Sequence, residues 1–326
     1  MSNILAIICS TALLGACACA AEAMAQKVPA ILDTDIGDDI DDTWALVMLL
    51  KSPQFDLKLV TTTFGKSEYR AKIIAKILTL AKRTDVAVGL GARGRTGSGG
   101  QEAWVKDYSL ATYAGTVHED GVQGLIDTIN ASPQTVTLIS IGPSNTVAAA
   151  LEKQPAIAAK AVFVGMQGAV RKGYNGGAVA PEWNVKANIP AAKRVLLAPW
   201  KQTIITPLDT CGLVKLSGAH FQTLCESKDE LVKALLENYR IWKGKAQLSE
   251  LKESSVLFDT VAVYLARPEE KPLLELEELN ITVTGGGITA IDPAGVKMSV
   301  ATAWKSLDGY CDLLVKALQQ PVVPKP

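Results

Sequence analysis

Short runs of β-branched and apolar residues alternate with stretches of helical spacing from Val28 to Leu197, and this alternation limits the available folds more than any other feature. Val28–Asp33, Leu57–Phe64, Val86–Leu90, Thr135–Ile141 and Ala161–Val164 read as strands. Asp42–Lys51, Glu68–Arg83, a stretch ending at Leu151 and Pro190–Leu197 read as helices. On Glu68–Arg83 the apolar residues Ile73, Ile74, Ile77, Leu78 and Ala81 recur at three- and four-residue spacing, which puts them on one face. Strands that alternate with helices build βαβ units, whose crossovers cover both faces of a parallel sheet. The predicted class is α/β: a single large domain with a mostly parallel central sheet flanked by helices, Rossmann-like. The 326 residues suit one such unit, and no repeat or linker divides them. Ligands of these sheets bind outside the carboxyl ends of the strands. The glycine-rich stretches Arg93–Gly100 and Arg171–Gly177 read as loops, either flaps over a site or plain surface. The tail Gln320–Pro326 reads as disordered.

The first predicted strand runs into Asp33-Thr34-Asp35-Ile36-Gly37-Asp38-Asp39-Ile40-Asp41-Asp42, six carboxylates within ten residues. Like charges at this density repel, so a strand end carrying them calls for a compensating cation. A hard divalent ion with oxygen ligands, Ca²⁺ above all, is the natural one. An EF-hand is excluded, because the twelfth position counted from Asp33 is Trp44. A phosphatase of the haloacid dehalogenase type also places Asp-x-Asp after a strand. It needs a later Lys and a further acidic pair, and no convincing set follows.

Charge and cysteines narrow the class further. Lys+Arg and Asp+Glu are both 33, so there is no basic field to hold nucleic acid. Ile4–Ala20 is apolar and is followed by Ala23-Met24-Ala25, which reads as a secretory signal peptide over residues 1–25, with the domain spanning 26–326. Leu14-Gly15-Ala16-Cys17 offers a competing lipobox, with a lipid anchor at Cys17. The expected location is therefore exported and periplasmic, as a soluble protein or a membrane-anchored lipoprotein. Beyond Cys9, Cys17 and Cys19 the chain carries Cys211, Cys225 and Cys311. A Cys211–Cys225 bridge or three buried thiols are the alternatives.

The acidic turn resembles the N-terminal signature of the inosine–uridine-preferring nucleoside hydrolases, Asp-x-Asp-Pro-Gly-x-Asp-Asp-x-x-Ala. Five further segments resemble the family in the same order: Thr61-Thr62-Thr63-Phe64-Gly65, His118-Glu119-Asp120-Gly121, Ile139-Ser140-Ile141-Gly142-Pro143, Pro181-Glu182-Trp183-Asn184 and Leu257-Phe258-Asp259-Thr260-Val261-Ala262-Val263. The resemblance implies the nucleoside hydrolase fold and Ca²⁺-dependent cleavage of the N-glycosidic bond of a ribonucleoside. It implies Asp35 as the base that activates water beside the metal. Asp35, the carbonyl of Ile141 and Asp259 match metal ligands. Two extra residues in the turn leave Asp39 or Asp42 as the next ligand, according to the end from which the motif is aligned. Asp41, Asn175, Glu182 and Asn184 match residues that bind the sugar, and a homo-oligomer is implied by analogy.

Two departures bear on the substrate. Lys66 stands where the family has Asn, and Phe258 where some members carry the His that protonates the leaving base. His118 is then the candidate acid, unless stacking activates the base without one. A homologue that binds nucleosides without turning them over is the alternative to an enzyme.

Overall fold

The computed structural model describes residues 27–93 and 99–322. The predicted export segment with Cys17, most of the glycine-rich stretch after Arg93, and residues 323–326 lie outside the described residues. Ten strands form one sheet: β1 (Val28–Thr34), β2 (Phe55–Thr62), β3 (Ala87–Gly89), β4 (Val117–His118), β5 (Val136–Ser140), β6 (Ala161–Met166), β7 (Gln202–Thr206), β8 (Leu274–Val283), β9 (Thr289–Ile291) and β10 (Val296–Trp304). Their order is β4-β3-β2-β1-β5-β6-β7-β10-β8-β9. From β4 across to β10 every neighbouring pair is parallel, and among the described residues only the pairs β10–β8 and β8–β9 are antiparallel. The predicted α/β class holds, with the antiparallel edge β10-β8-β9 as an addition that the pattern up to Leu197 does not reach.

Alternation along β1 explains the two-sided core. Ala30 and Leu32 pack into one apolar cluster and Ile31 into the other, because successive side chains leave opposite faces of a strand. Helix α1 (Asp41–Leu50) has all ten residues buried. It packs between the helices Phe258–Ala266 and Glu230–Trp242, and this brings the late helix to the acidic turn.

The chain winds outward from β1 through β2, β3 and β4, then crosses to β5 on the other side of β1. Strand order therefore reverses between β1 and β5, which opens a crevice at their carboxyl ends. Strand β2 ends at Thr62, two residues before the predicted end, because Phe64 (φ 55°) and Gly65 (φ 74°) turn the chain into α2 (Ser67–Leu80). Among the described residues no disulfide forms: Cys211, Cys225 and Cys311 are free, and the Cys211 thiol faces the carbonyls of Thr206 and Pro207.

Candidate active site

Strand β1 delivers the first carboxylates. Asp33 pairs in register with Thr61 on β2 and Ser140 on β5, and its side chain accepts a hydrogen bond from Thr61 Oγ1 at 2.7 Å. Its second oxygen, Oδ2, is buried without a partner. Burial pushes this carboxyl up to about 8. Asp35 sits at the mouth of the crevice against Gly142, where a Cβ would come within 2.5 Å of the Asp35 carboxylate; only glycine allows this approach. Burial pushes Asp35 up to about 7, against the pull of Arg70.

Beyond the turn, α1 presents Asp41 and Asp42, and the helix Phe258–Ala266 presents Asp259. Carboxylate oxygens of these three buried residues lie within 4.8 Å of one another. The backbone N–H of Asp259 donates to Asp41 Oδ2 at 3.4 Å, and Thr34 Oγ1 donates to Asp42. Burial first, then mutual repulsion, holds all three well above the ordinary carboxylate range. Asp39, by contrast, is exposed. Of the two alignments of the acidic turn, the one counted from the helix puts its residue, Asp42, beside Asp259.

The cleft over these groups has a volume of about 500 Å³. Asp35, Asp39, Asp41, Asp42, Ile141, Glu182, Asn184 and Asp259, drawn from four of the six segments, all line it. Glu182 caps the short helix Trp183–Ala187: Oε1 accepts from Asn184 N (2.7 Å), and Oε2 from Gly168 N (2.9 Å) and Val185 N (3.2 Å). Burial outweighs these hydrogen bonds and pushes Glu182 up to about 7. Asn184 Nδ2 donates to the carbonyls of Ile141 and Met166, both at 3.0 Å. The Ile141 carbonyl thus faces the cleft with one of its two lone pairs engaged.

Two predicted residues are not brought in. His118 lies on β4, three strands from β1, about 14 Å at the usual strand spacing. Its ring packs over Gly124, and His118 is not among the residues that line the cleft. Asn175 is exposed in a left-handed turn (φ 53°) at the rim, while its neighbour Tyr174 lines the cleft. Lys66 does not line the cleft either and pairs with Glu102 at 2.6 Å.

Other residues went unread in the sequence. Tyr174 stacks on Phe258 with ring centres 5.9 Å apart, Trp183 meets Phe64 edge to face, and Tyr174, Trp183 and Phe258 line the cleft together with the acids. Arg70 is fully buried behind the turn and pairs with Asp38 at 2.9 Å. A signal for it existed: Arg70 stands three and four residues before Ile73 and Ile74, on the apolar face of α2. A charge at such a position needs a buried partner.

A family model described as inosine-uridine preferring nucleoside hydrolase matches residues 30–308. A pyrimidine-specific ribonucleoside hydrolase of Salmonella agona (strain SL483) is 28% identical over 213 residues, 60% of this chain and 65% of that protein. The match therefore spans just under two thirds of the relative's length. A plant nucleoside hydrolase superposes with a TM-score of 0.73 at 20% identity, covering 90% of this chain and 99% of that one. A purine-preferring ribonucleoside hydrolase from Gardnerella vaginalis gives 0.70 at 20% identity, over 89% and 99%.

Proposed function

The chain belongs to the inosine-uridine preferring nucleoside hydrolase family, and from that premise we propose that it hydrolyses the N-glycosidic bond of ribonucleosides with a bound Ca²⁺, releasing free base and ribose. One observation carries the reading: Asp41 and Asp259, 218 residues apart, meet Asp42 and Asp35 in one buried cleft. Residues so distant gain nothing structurally from bringing like charges together out of water. The donor set suits a hard divalent cation, being all oxygen and short of positive charge, with Asp33 Oδ2 buried and unpartnered beneath it.

Asp35, Asp42, Asp259 and the carbonyl of Ile141 would hold the ion. Bound there, Ca²⁺ supplies a counter-charge and makes a nearby water more acidic. Asp35, a carboxylate at the mouth of the cleft beside the ion, would take the proton of that water. Asp41 and the Glu182–Asn184 segment offer acceptors and donors to ribose hydroxyls, and contacts that tighten as the sugar flattens favour an oxocarbenium-like transition state. Tyr174 and Phe258 offer a stacking surface to the base. The base then leaves without a histidine to protonate it, which favours substrates whose base departs readily. The relatives named include a pyrimidine-specific and a purine-preferring protein. The N-terminal apolar run supports a periplasmic site of action in nucleoside salvage, as a soluble or lipid-anchored protein.

The test is a panel of ribonucleosides assayed for free base and free ribose, with and without EDTA. Equimolar base and ribose, lost on chelation and restored by Ca²⁺, is the expected result. Binding without release would make the chain a nucleoside-binding homologue, and phosphate release from nucleotides would restore the phosphatase reading.

A further inference from the structure

Five consecutive carbonyls of the acidic turn are capped from outside by side chains. Arg70 Nη1 donates to the carbonyls of Asp35 and Ile36, the latter at 2.9 Å. Tyr69 Oη donates to Gly37 O at 3.1 Å, Trp242 Nε1 to Asp38 O at 2.9 Å and Gln101 Nε2 to Asp39 O at 3.3 Å. The donors come from α2, from the segment before the short helix Glu102–Val105 and from the last residue of the helix Glu230–Trp242. They also brace one another. Tyr69 Oη accepts from Gln101 N at 2.9 Å, and Gln101 Oε1 accepts from Asn238 Nδ2 at 3.1 Å and Thr43 Oγ1 at 3.3 Å. Gln101, Arg70 and Asn238 are fully buried.

A flexible oxygen-rich loop binds cations partly through its own carbonyls. In this turn those from Asp35 to Asp39 are already committed, and they point to donors on the far side. We infer that Tyr69, Arg70, Gln101 and Trp242 form a clamp that holds the backbone of residues 35–39 with the buried Asp35 carboxylate at the cleft, and so sets both the cation affinity and the placement of Asp35. These are positioning residues: they line up Asp35 and Asp42 without touching the substrate. The two residues added between Gly37 and α1 have a use in this arrangement. Within that lengthened stretch Asp38 and Asp39 carry the carbonyls that Trp242 and Gln101 hold, and they tie the C-terminal end of Glu230–Trp242 to the turn.

The inference rests on the proposed hydrolase reading and is tested with the full-length protein. Tyr69→Phe and Trp242→Phe each keep the ring and remove one donor. One lost hydrogen bond corresponds to roughly a three- to tenfold change in an equilibrium. Calorimetric titration with Ca²⁺ alone should show affinity weakened by about that factor in each variant, while the melting temperature without Ca²⁺ falls by no more than about 4 °C. With a ribonucleoside and saturating Ca²⁺, kcat should fall while KM holds. Wild-type Ca²⁺ affinity in both variants would overturn the clamp, and so would losses of affinity that only track lowered thermal stability. A wild-type protein that neither binds Ca²⁺ nor releases base would instead defeat the hydrolase reading.

Discussion

The acidic turn and the Glu182–Asn184 segment face each other across one cleft and are built on opposite plans. In the turn, side-chain donors hold the backbone, and the carboxylates of Asp35, Asp41, Asp42 and Asp259 are left short of positive partners. At Glu182, backbone N–H groups of Gly168, Asn184 and Val185 hold the carboxylate, which is thereby committed to a helix cap. Burial raises the carboxyls on both sides. Glu182 meets that cost alone and with three backbone donors, whereas the first group crowds several carboxylates together with fewer donors, so the first group carries the demand for a cation. A buried carboxylate is informative about function when its hydrogen bonds have been spent elsewhere.

The strongest way to break this comparison is to remove one charge from the turn. Asp35→Asn keeps the shape but can no longer take a proton, so base release should fall by roughly 10²–10⁴ with the fold unchanged by circular dichroism. Near-normal turnover in that variant would show that Asp35 is not the base.

Removing the cation should have the next largest effect, and it should depend on pH. Asp33 and Asp35 rise from an ordinary 3.8 to about 8 and about 7 on folding without metal. A raised carboxyl stabilises the fold fully below its unfolded value and loses that contribution as pH climbs through the folded value. The EDTA-treated protein should therefore melt at progressively lower temperature between pH 4 and 8. Ca²⁺ binds the ionised groups, so it should raise the melting temperature more at pH 8 than at pH 5. An equal rise at both would argue that these carboxylates do not hold the ion.

On the other side of the cleft, Glu182→Ala removes a helix cap and should cost about 1 kcal/mol of stability. It should also raise KM for a ribonucleoside, with Ca²⁺ affinity unchanged by titration. A fall in Ca²⁺ affinity would erase the distinction drawn between the two segments. The smallest effect belongs to His118→Ala. A ring packed on Gly124 at the sheet's edge has no route to the leaving group, so kcat should stay within about twofold; a large loss would require β4 to move.

What the sequence determined by itself was the part written locally. Strand and helix periods from Val28 to Leu197 forecast a parallel α/β sheet, and charge density alone marked the turn from Asp33 to Asp42 as the centre of the chemistry. The antiparallel edge formed by β8 and β9 lay past the stretch those periods covered. Tertiary structure decided which candidates meet. Asp42 joins Asp259 and Asp39 does not, because α1 packs against Phe258–Ala266 and turns the extra residues outward. It put His118 three strands from β1, because a motif's order along the chain says nothing about how many strands separate it from the cleft. It also supplied the Arg70 counter-charge and the Trp242 donor. Hydrogen bonds between residues 32 and 204 positions apart leave no period or spacing in a sequence, since only the packed core brings their ends together.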